Sequence, residues 1–181
     1  MVEIFKNTFL VFLLLFCSLS FLFIHCDSKN SNIDVLNLQG DSLDLNKLIN
    51  YNKLNIVVLL SLPTCHECCV QLNSVLNQIM KENNDIGIYA IISSDNNVLS
   101  RRMDMNYFKQ FFSSNIQYYF IPKNNSNNYS GLFYLNGYKI KHTPSLLLMS
   151  LKKELFINYD ELFGNNDFSS QKLLKIIQEF R

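Results

Sequence analysis

The sequence predicts an α/β domain, and three observations predict it. An apolar run over 54–62 (LNIVVLLSL), rich in β-branched residues, has the composition of a strand covered on both faces of a sheet. Directly beyond it, Leu72, Val75, Leu76 and Ile79 recur at helical spacing until Asn83 and Asn84 end the pattern. A second apolar run over 86–92 (IGIYAII) repeats the strand signal, so strand, helix and strand alternate. With 181 residues, 48% hydrophobic and 17% charged, the chain suits one core plus a short terminal segment.

That terminal segment comes first. Residues 8–24 (TFLVFLLLFCSLSFLFI) carry no charge and follow a start whose only basic side chain is Lys6, the pattern of an export or anchoring segment. Cys26 follows Phe23, Ile24 and His25, a position where bacterial lipoproteins carry the cysteine that becomes lipidated, although His25 stands where Gly, Ala or Ser is usual. A lipoprotein signal ending at Cys26 and an uncleaved signal anchor both fit, and either tethers the remainder outside the cytoplasm. Cys17, inside the apolar run, reads as a small hydrophobe. Residues 1–26 are therefore assigned to the signal or anchor, 27–32 (DSKNSN) to a polar tether, and 33–181 to the folded domain.

Within that domain, alternation over 34–38 and 42–45 on either side of Gln39-Gly40-Asp41 predicts a small hairpin ahead of the first core strand. After the strand at 86–92, residues 98–113 read as a helix with Tyr107, Phe108, Phe111 and Phe112 on its core side, and 116–121 (IQYYFI) as a short strand. Residues 145–151 and 154–159 form an antiparallel pair across Lys152-Lys153. A closing helix carries Leu173, Leu174, Ile177 and Phe180, introduced by Ser169-Ser170.

The chemistry concentrates in SLPTCHECCVQL, residues 61–72, where three of the five cysteines stand between a buried strand and a helix. Cys65 falls at the helix start, where unsatisfied N–H groups and the positive end of the helix dipole favour a thiolate. Cys68 lies three residues on, so its sulfur can close on that of Cys65, and four residues before Leu72, which turns it toward the buried face. An attacking thiol in such a motif has a pKa of roughly 7 or below, against about 8.5 for a free cysteine. His66, when protonated, favours the Cys65 thiolate and Glu67 opposes it, so the two modulate the pair. Cys69, three before Leu72, reads as a buried, inert thiol.

Strand, CHEC turn and helix, the preceding hairpin, the additional helix and strand between Asp95 and Ile121, and Thr143-Pro144 ahead of the last strand pair together resemble the extracytoplasmic thioredoxin-like proteins of the TlpA/ResA, or redoxin, type. The resemblance runs from Ile33 to the end. It implies a thioredoxin-like fold, a central mixed β-sheet flanked by helices with an N-terminal hairpin and a central insertion. It also implies thiol-disulfide oxidoreductase activity with Cys65 attacking and Cys68 resolving, no cofactor, protein disulfide or dithiol substrates, and exchange with a membrane thiol-disulfide carrier. By the same resemblance Pro144 is cis, and Thr143 offers its backbone to a bound polypeptide as an added strand would. Two positions depart from the pattern. The family usually has Trp before the first cysteine and Glu three places after the second, where this chain has Thr64 and Gln71, and Gln71 cannot take a proton.

Other functions are less well supplied. A soft-metal site drawing on Cys65, Cys68 or Cys69 with His66 or His142, as in copper-handling relatives of this fold, is the alternative. Neighbouring cysteines 68 and 69 diverge by about 100° on a helix, which opposes it, and no metal is assigned. A degenerate thioredoxin-like binding module is the third reading, favoured by Thr64 and Gln71. Peroxidase chemistry is disfavoured because Leu62 stands where peroxiredoxins carry Thr. A net charge of +1 with isolated basic pairs supplies no field for nucleic acid.

Overall fold

The computed structural model describes residues 33–181 apart from 84, 114, 124–132, 152, 165–169 and 181. The predicted anchor, the tether and Cys26 lie outside the described residues, as do Asn84, Lys152 and Ser169, which the sequence assigns to turns and a helix start. Among the described residues no helix is long and apolar enough to cross a membrane.

The hairpin consists of β1 (Asp34–Leu36) and β2 (Ser42–Asp44), followed by α1 (Leu45–Leu48). The core unit is β3 (Leu54–Ser61), α2 (His66–Glu82) and β4 (Ile86–Ser94). Then come α3 (Val98–Phe108), β5 (Gln117–Pro122), β6 (Phe133–Leu135) and β7 (Tyr138–Ile140). The chain closes with β8 (Ser145–Met149), β9 (Glu154–Ile157), α4 (Tyr159–Phe163) and α5 (Ser170–Phe180). Seven strands form one mixed sheet in the order β2-β1-β5-β4-β3-β8-β9, while β6 and β7 pair separately.

Central strand β3 is buried along its whole length, as its predominantly apolar composition requires, with Asn55 and Ser61 the buried polar exceptions. Its side chains alternate between two cores. Leu54, Ile56, Val58 and Leu60 join the cluster under α2 and α5, where Leu72, Val75, Leu76 and Ile79 meet Leu173, Ile177 and Phe180. Val57 and Leu59 point to the opposite face, against Val35, Leu45, Ile140 and Leu147. Each such side chain, fully buried, contributes about 1.5–3 kcal/mol of transfer free energy, so both faces of β3 hold the sheet between layers.

Strand direction positions the site. β3 runs parallel to β4, with Leu54 opposite Ile86 and Ser61 opposite Ser93. β8 runs antiparallel to β3, with Leu59 opposite Ser145. Because the two strands run in opposite senses, the turn that opens β8, at 142–144, meets the end of β3 where α2 begins. Residues about eighty apart in sequence thereby become neighbours.

Several elements differ from expectation, β8 among them, which ends at Met149 short of the expected 151. The helix expected over 98–113 ends at Phe108, where Lys109 caps it and the N–H groups of Gln110 and Phe111 switch to carbonyls three residues back; the tightened turn still buries Phe112. The strand expected over 154–159 stops at Ile157, because Asn158 starts a helix. Its side chain accepts from the Glu161 N–H at 2.9 Å, while Glu161 accepts the Asn158 N–H at 3.0 Å. The hairpin β6–β7 was not expected; it turns through Asn136 (φ 49°) and Gly137 (φ 80°), the left-handed pair that a two-residue hairpin demands. Nor was α1, a single turn capped by the Asp44 carboxylate, which accepts the Asn46 N–H at 3.0 Å.

A candidate redox site at the start of helix α2

Leu62, Pro63 and Thr64 connect β3 to α2, and Cys65 is the residue that caps the helix. With extended backbone (φ −72°, ψ 110°), Cys65 aims its sulfur back over the first turn, where Sγ accepts the Cys68 N–H at 3.2 Å. Cys65 and Cys68 form a disulfide with Cα atoms 5.2 Å apart. A sulfur that receives a helix N–H is one whose anionic form the backbone stabilises once the bond opens.

The two sulfurs see different surroundings. Cys65 is half-buried and lines an open cleft of about 340 Å³ together with Pro63, Thr64, His142, Thr143 and Tyr159. Cys68 is 7% exposed and belongs to the core cluster. An incoming thiolate or disulfide can therefore reach Cys65, and Cys68 is left to react within the protein.

Cys69 is fully buried. Its sulfur lies 3.8 Å from Thr64 Oγ1, and burial pushes its thiol from 9.0 up to about 11, the Thr64 contact offsetting part of the rise. At neutral pH it stays protonated and unreactive.

Thr143 ties the two turns together. It is 5% exposed; its Oγ1 accepts from the Ser61 N–H at 3.2 Å and donates to the Ser61 carbonyl at 3.1 Å. Thr64 Oγ1 in turn donates to the Thr143 carbonyl at 3.0 Å. The Thr143 carbonyl is thus already engaged by the hydroxyl of the residue next to Cys65. The Leu62–Pro63 and Thr143–Pro144 peptide bonds are both cis, and Pro144 is buried.

His66 and Glu67 are exposed on the first turn of α2. The His66 ring packs edge-on against Phe111, centroids 4.4 Å apart. His142 lines the cleft, its ring centroid 5.9 Å from that of Tyr159. Among the described residues no three His, Cys, Asp or Glu side chains converge as a cation site; the groups of the soft-metal alternative are instead spread between a disulfide, a buried pocket and two aromatic contacts.

Tyr159 is a site residue that sequence reasoning missed. Its hydroxyl lies 3.3 Å from Cys68 Sγ, a placement that follows from α4 beginning at Asn158 instead of β9 continuing. The Asn158-x-x-Glu161 spacing is a helix-start signature and could have revealed it. Thr64, noted in the sequence only as a departure, also enters the site through the contacts above.

Neither a protein-family model nor a curated protein matches this sequence. Solved structures do. A thioredoxin-like protein from Aeropyrum pernix superposes with a TM-score of 0.55 at 10% identity, covering 82% of this chain and 89% of its own. MTB DsbF, in mixed oxidized and reduced forms, gives 0.54 at 11% identity, covering 82% and 94%. An uncharacterized thioredoxin-like protein from Porphyromonas gingivalis gives 0.51 at 13% identity, covering 82% and 88%. The chain has the thioredoxin-like fold, with a cysteine pair at the turn between its central strand and the following helix.

Proposed function

We propose that this chain is a membrane-tethered, extracytoplasmic thiol-disulfide oxidoreductase working through Cys65 and Cys68. The observation that supports it most is the unequal burial of a bonded cysteine pair at a helix start, one sulfur facing a cleft and the other facing the core. In the reducing direction the Cys65 thiolate attacks a substrate disulfide, a mixed disulfide forms, and Cys68 attacks Cys65 Sγ to release the substrate thiolate. The reverse sequence oxidises a substrate dithiol, and the redox poise of the surroundings sets the direction.

Substrates are disulfides or dithiols of other envelope proteins, and a membrane thiol-disulfide carrier renews the pair. An extended substrate segment lies beside Thr143 and Pro144; its amide shares the Thr143 carbonyl with Thr64 or displaces the Thr64 hydroxyl. His66 and Glu67 tune the Cys65 thiolate from the exposed turn, and no cofactor takes part. The apolar segment at 8–24, with Cys26 after it, supports the tether.

Equilibration of the full chain with glutathione buffers, read by mass mapping alongside metal analysis, tests the reading. A two-electron couple confined to Cys65 and Cys68, without a bound ion, is expected; a stoichiometric soft metal, or thiols that never equilibrate, overturns it. For the tether, Cys26→Ser abolishes a lipid-dependent mobility shift if Cys26 is acylated, whereas unchanged mobility and N-terminal mass assign an uncleaved anchor.

A further inference from the structure

The Cys65–Cys68 pair cannot react without charge appearing on a sulfur that water scarcely reaches. When a substrate thiolate attacks Cys65 Sγ, the new S–S bond forms there, the Cys65–Cys68 bond breaks, and the electron pair departs on Cys68 Sγ. Cys68 is 7% exposed. A thiolate formed among apolar side chains without a donor is costly, so a polar hydrogen aimed at that atom decides how easily it leaves.

Tyr159 carries that hydrogen. Its hydroxyl oxygen lies 3.3 Å from Cys68 Sγ, and in the disulfide neither sulfur holds a proton, so the phenol is the donor. The ring is held from several sides. The reciprocal Asn158 and Glu161 hydrogen bonds fix the start of α4, Phe163 packs with its centroid 5.1 Å from that of Tyr159, and His142 stands at 5.9 Å. On the opposite side of the disulfide, the Cys68 N–H serves Cys65 Sγ at 3.2 Å. One sulfur of the pair is thus served by the helix backbone and the other by a side chain from a different element.

We propose that Tyr159 is a catalytic residue of the exchange reaction, its O–H stabilising the Cys68 thiolate as it leaves and holding it until it attacks again. This rests on the oxidoreductase reading above. No net proton transfer is needed: the phenol keeps its hydrogen, the substrate sulfur is oxidised as it bonds to Cys65, and Cys68 is reduced. In the reducing direction the same hydrogen bond keeps Cys68 anionic beside the mixed disulfide and is given up as Cys68 attacks.

Stopped-flow reduction of the oxidised full chain by dithiothreitol, together with equilibration against glutathione, tests the role. Tyr159→Phe keeps the ring and its packing and removes only the donor. It is expected to slow reduction about tenfold and to move the equilibrium toward the disulfide by a similar factor, the size of one hydrogen bond to a charged group. Site-specific replacement of Tyr159 by 3-fluorotyrosine, which retains shape and strengthens the donor, is expected to match or exceed the wild-type rate, and this variant decides the matter if Tyr159→Phe does not fold. Reduction of Tyr159→Phe at the wild-type rate and with the wild-type equilibrium overturns the proposal, as does a fluorinated protein slower than wild type. A wild-type protein whose disulfide never exchanges overturns the parent reading instead.

Discussion

Replacing Thr143 with Val removes one hydroxyl and keeps the branched shape, and the structure gives the size of the loss. Thr143 Oγ1 is the acceptor for the Ser61 N–H at 3.2 Å and the donor to the Ser61 carbonyl at 3.1 Å. Ser61 is 1% exposed and Thr143 5%, so water cannot replace either bond. Leaving two buried backbone groups short of a partner costs about 1–3 kcal/mol each, part of which the added buried methyl offsets. A net destabilisation of about 2–4 kcal/mol follows, on the order of 10 °C in midpoint for a domain of this size. Urea unfolding of the oxidised protein measures it directly, and Thr143→Ser, which retains the hydroxyl, recovers most of the loss. The same substitution frees the turn before β8 from the end of β3, so exchange with a model protein disulfide slows in Thr143→Val even where the protein is fully folded. A Thr143→Val protein with wild-type midpoint would refute the reasoning, because the buried bridge between the two turns would then carry no energy.

Two further expectations concern the thiols and the alkaline limit. After reduction, a brief pulse of alkylating agent at neutral pH should label Cys65 first, with Cys68 slow and Cys69 slowest because its thiol is raised to about 11; mass mapping that finds Cys69 labelled ahead of Cys65 rules out the assignment. The native state should weaken between about pH 9 and pH 12. Cys69 is raised to about 11 and Tyr118, whose buried hydroxyl has no partner among the described residues, to about 12, both by burial. Both groups bind their proton more tightly folded than unfolded, so their contribution is complete below the unfolded values and is lost as pH climbs toward the folded ones. Urea midpoints measured across this range should fall less steeply in Tyr118→Phe; an unchanged slope removes Tyr118 from the account.

The elements that sequence revealed are those whose pattern is set by burial. β3 and the core face of α2 were readable because an eight-residue strand buried on both faces admits almost only apolar residues, and a helix against one sheet repeats them every three or four positions. Short elements escaped because their determinants are single contacts. α1 depends on the Asp44 cap, and β6–β7 on Asn136-Gly137, whose three-residue strands are too brief to show alternation. In the site, the placement of Cys65 at the helix start was legible from the apolar boundaries on either side. Tyr159 was not, since its distance from Cys68 depends on where β9 stops and on the antiparallel pairing of β3 with β8, a tertiary consequence that no window around the CHEC turn contains.

Three cysteines within five positions permit three pairings, and the fold admits one of them. Cys65 caps α2 with extended backbone and its sulfur is bonded to that of Cys68, while Cys69 is fully buried in the core cluster that α2 shares with the sheet. Thr64 Oγ1 lies 3.8 Å from the Cys69 sulfur. The architecture therefore sorts thiols by burial: a disulfide to Cys69 would require its sulfur to leave the core, which the docked helix opposes. A third thiol can persist beside a reactive pair without poisoning it, because the error it could cause requires α2 to come off the sheet.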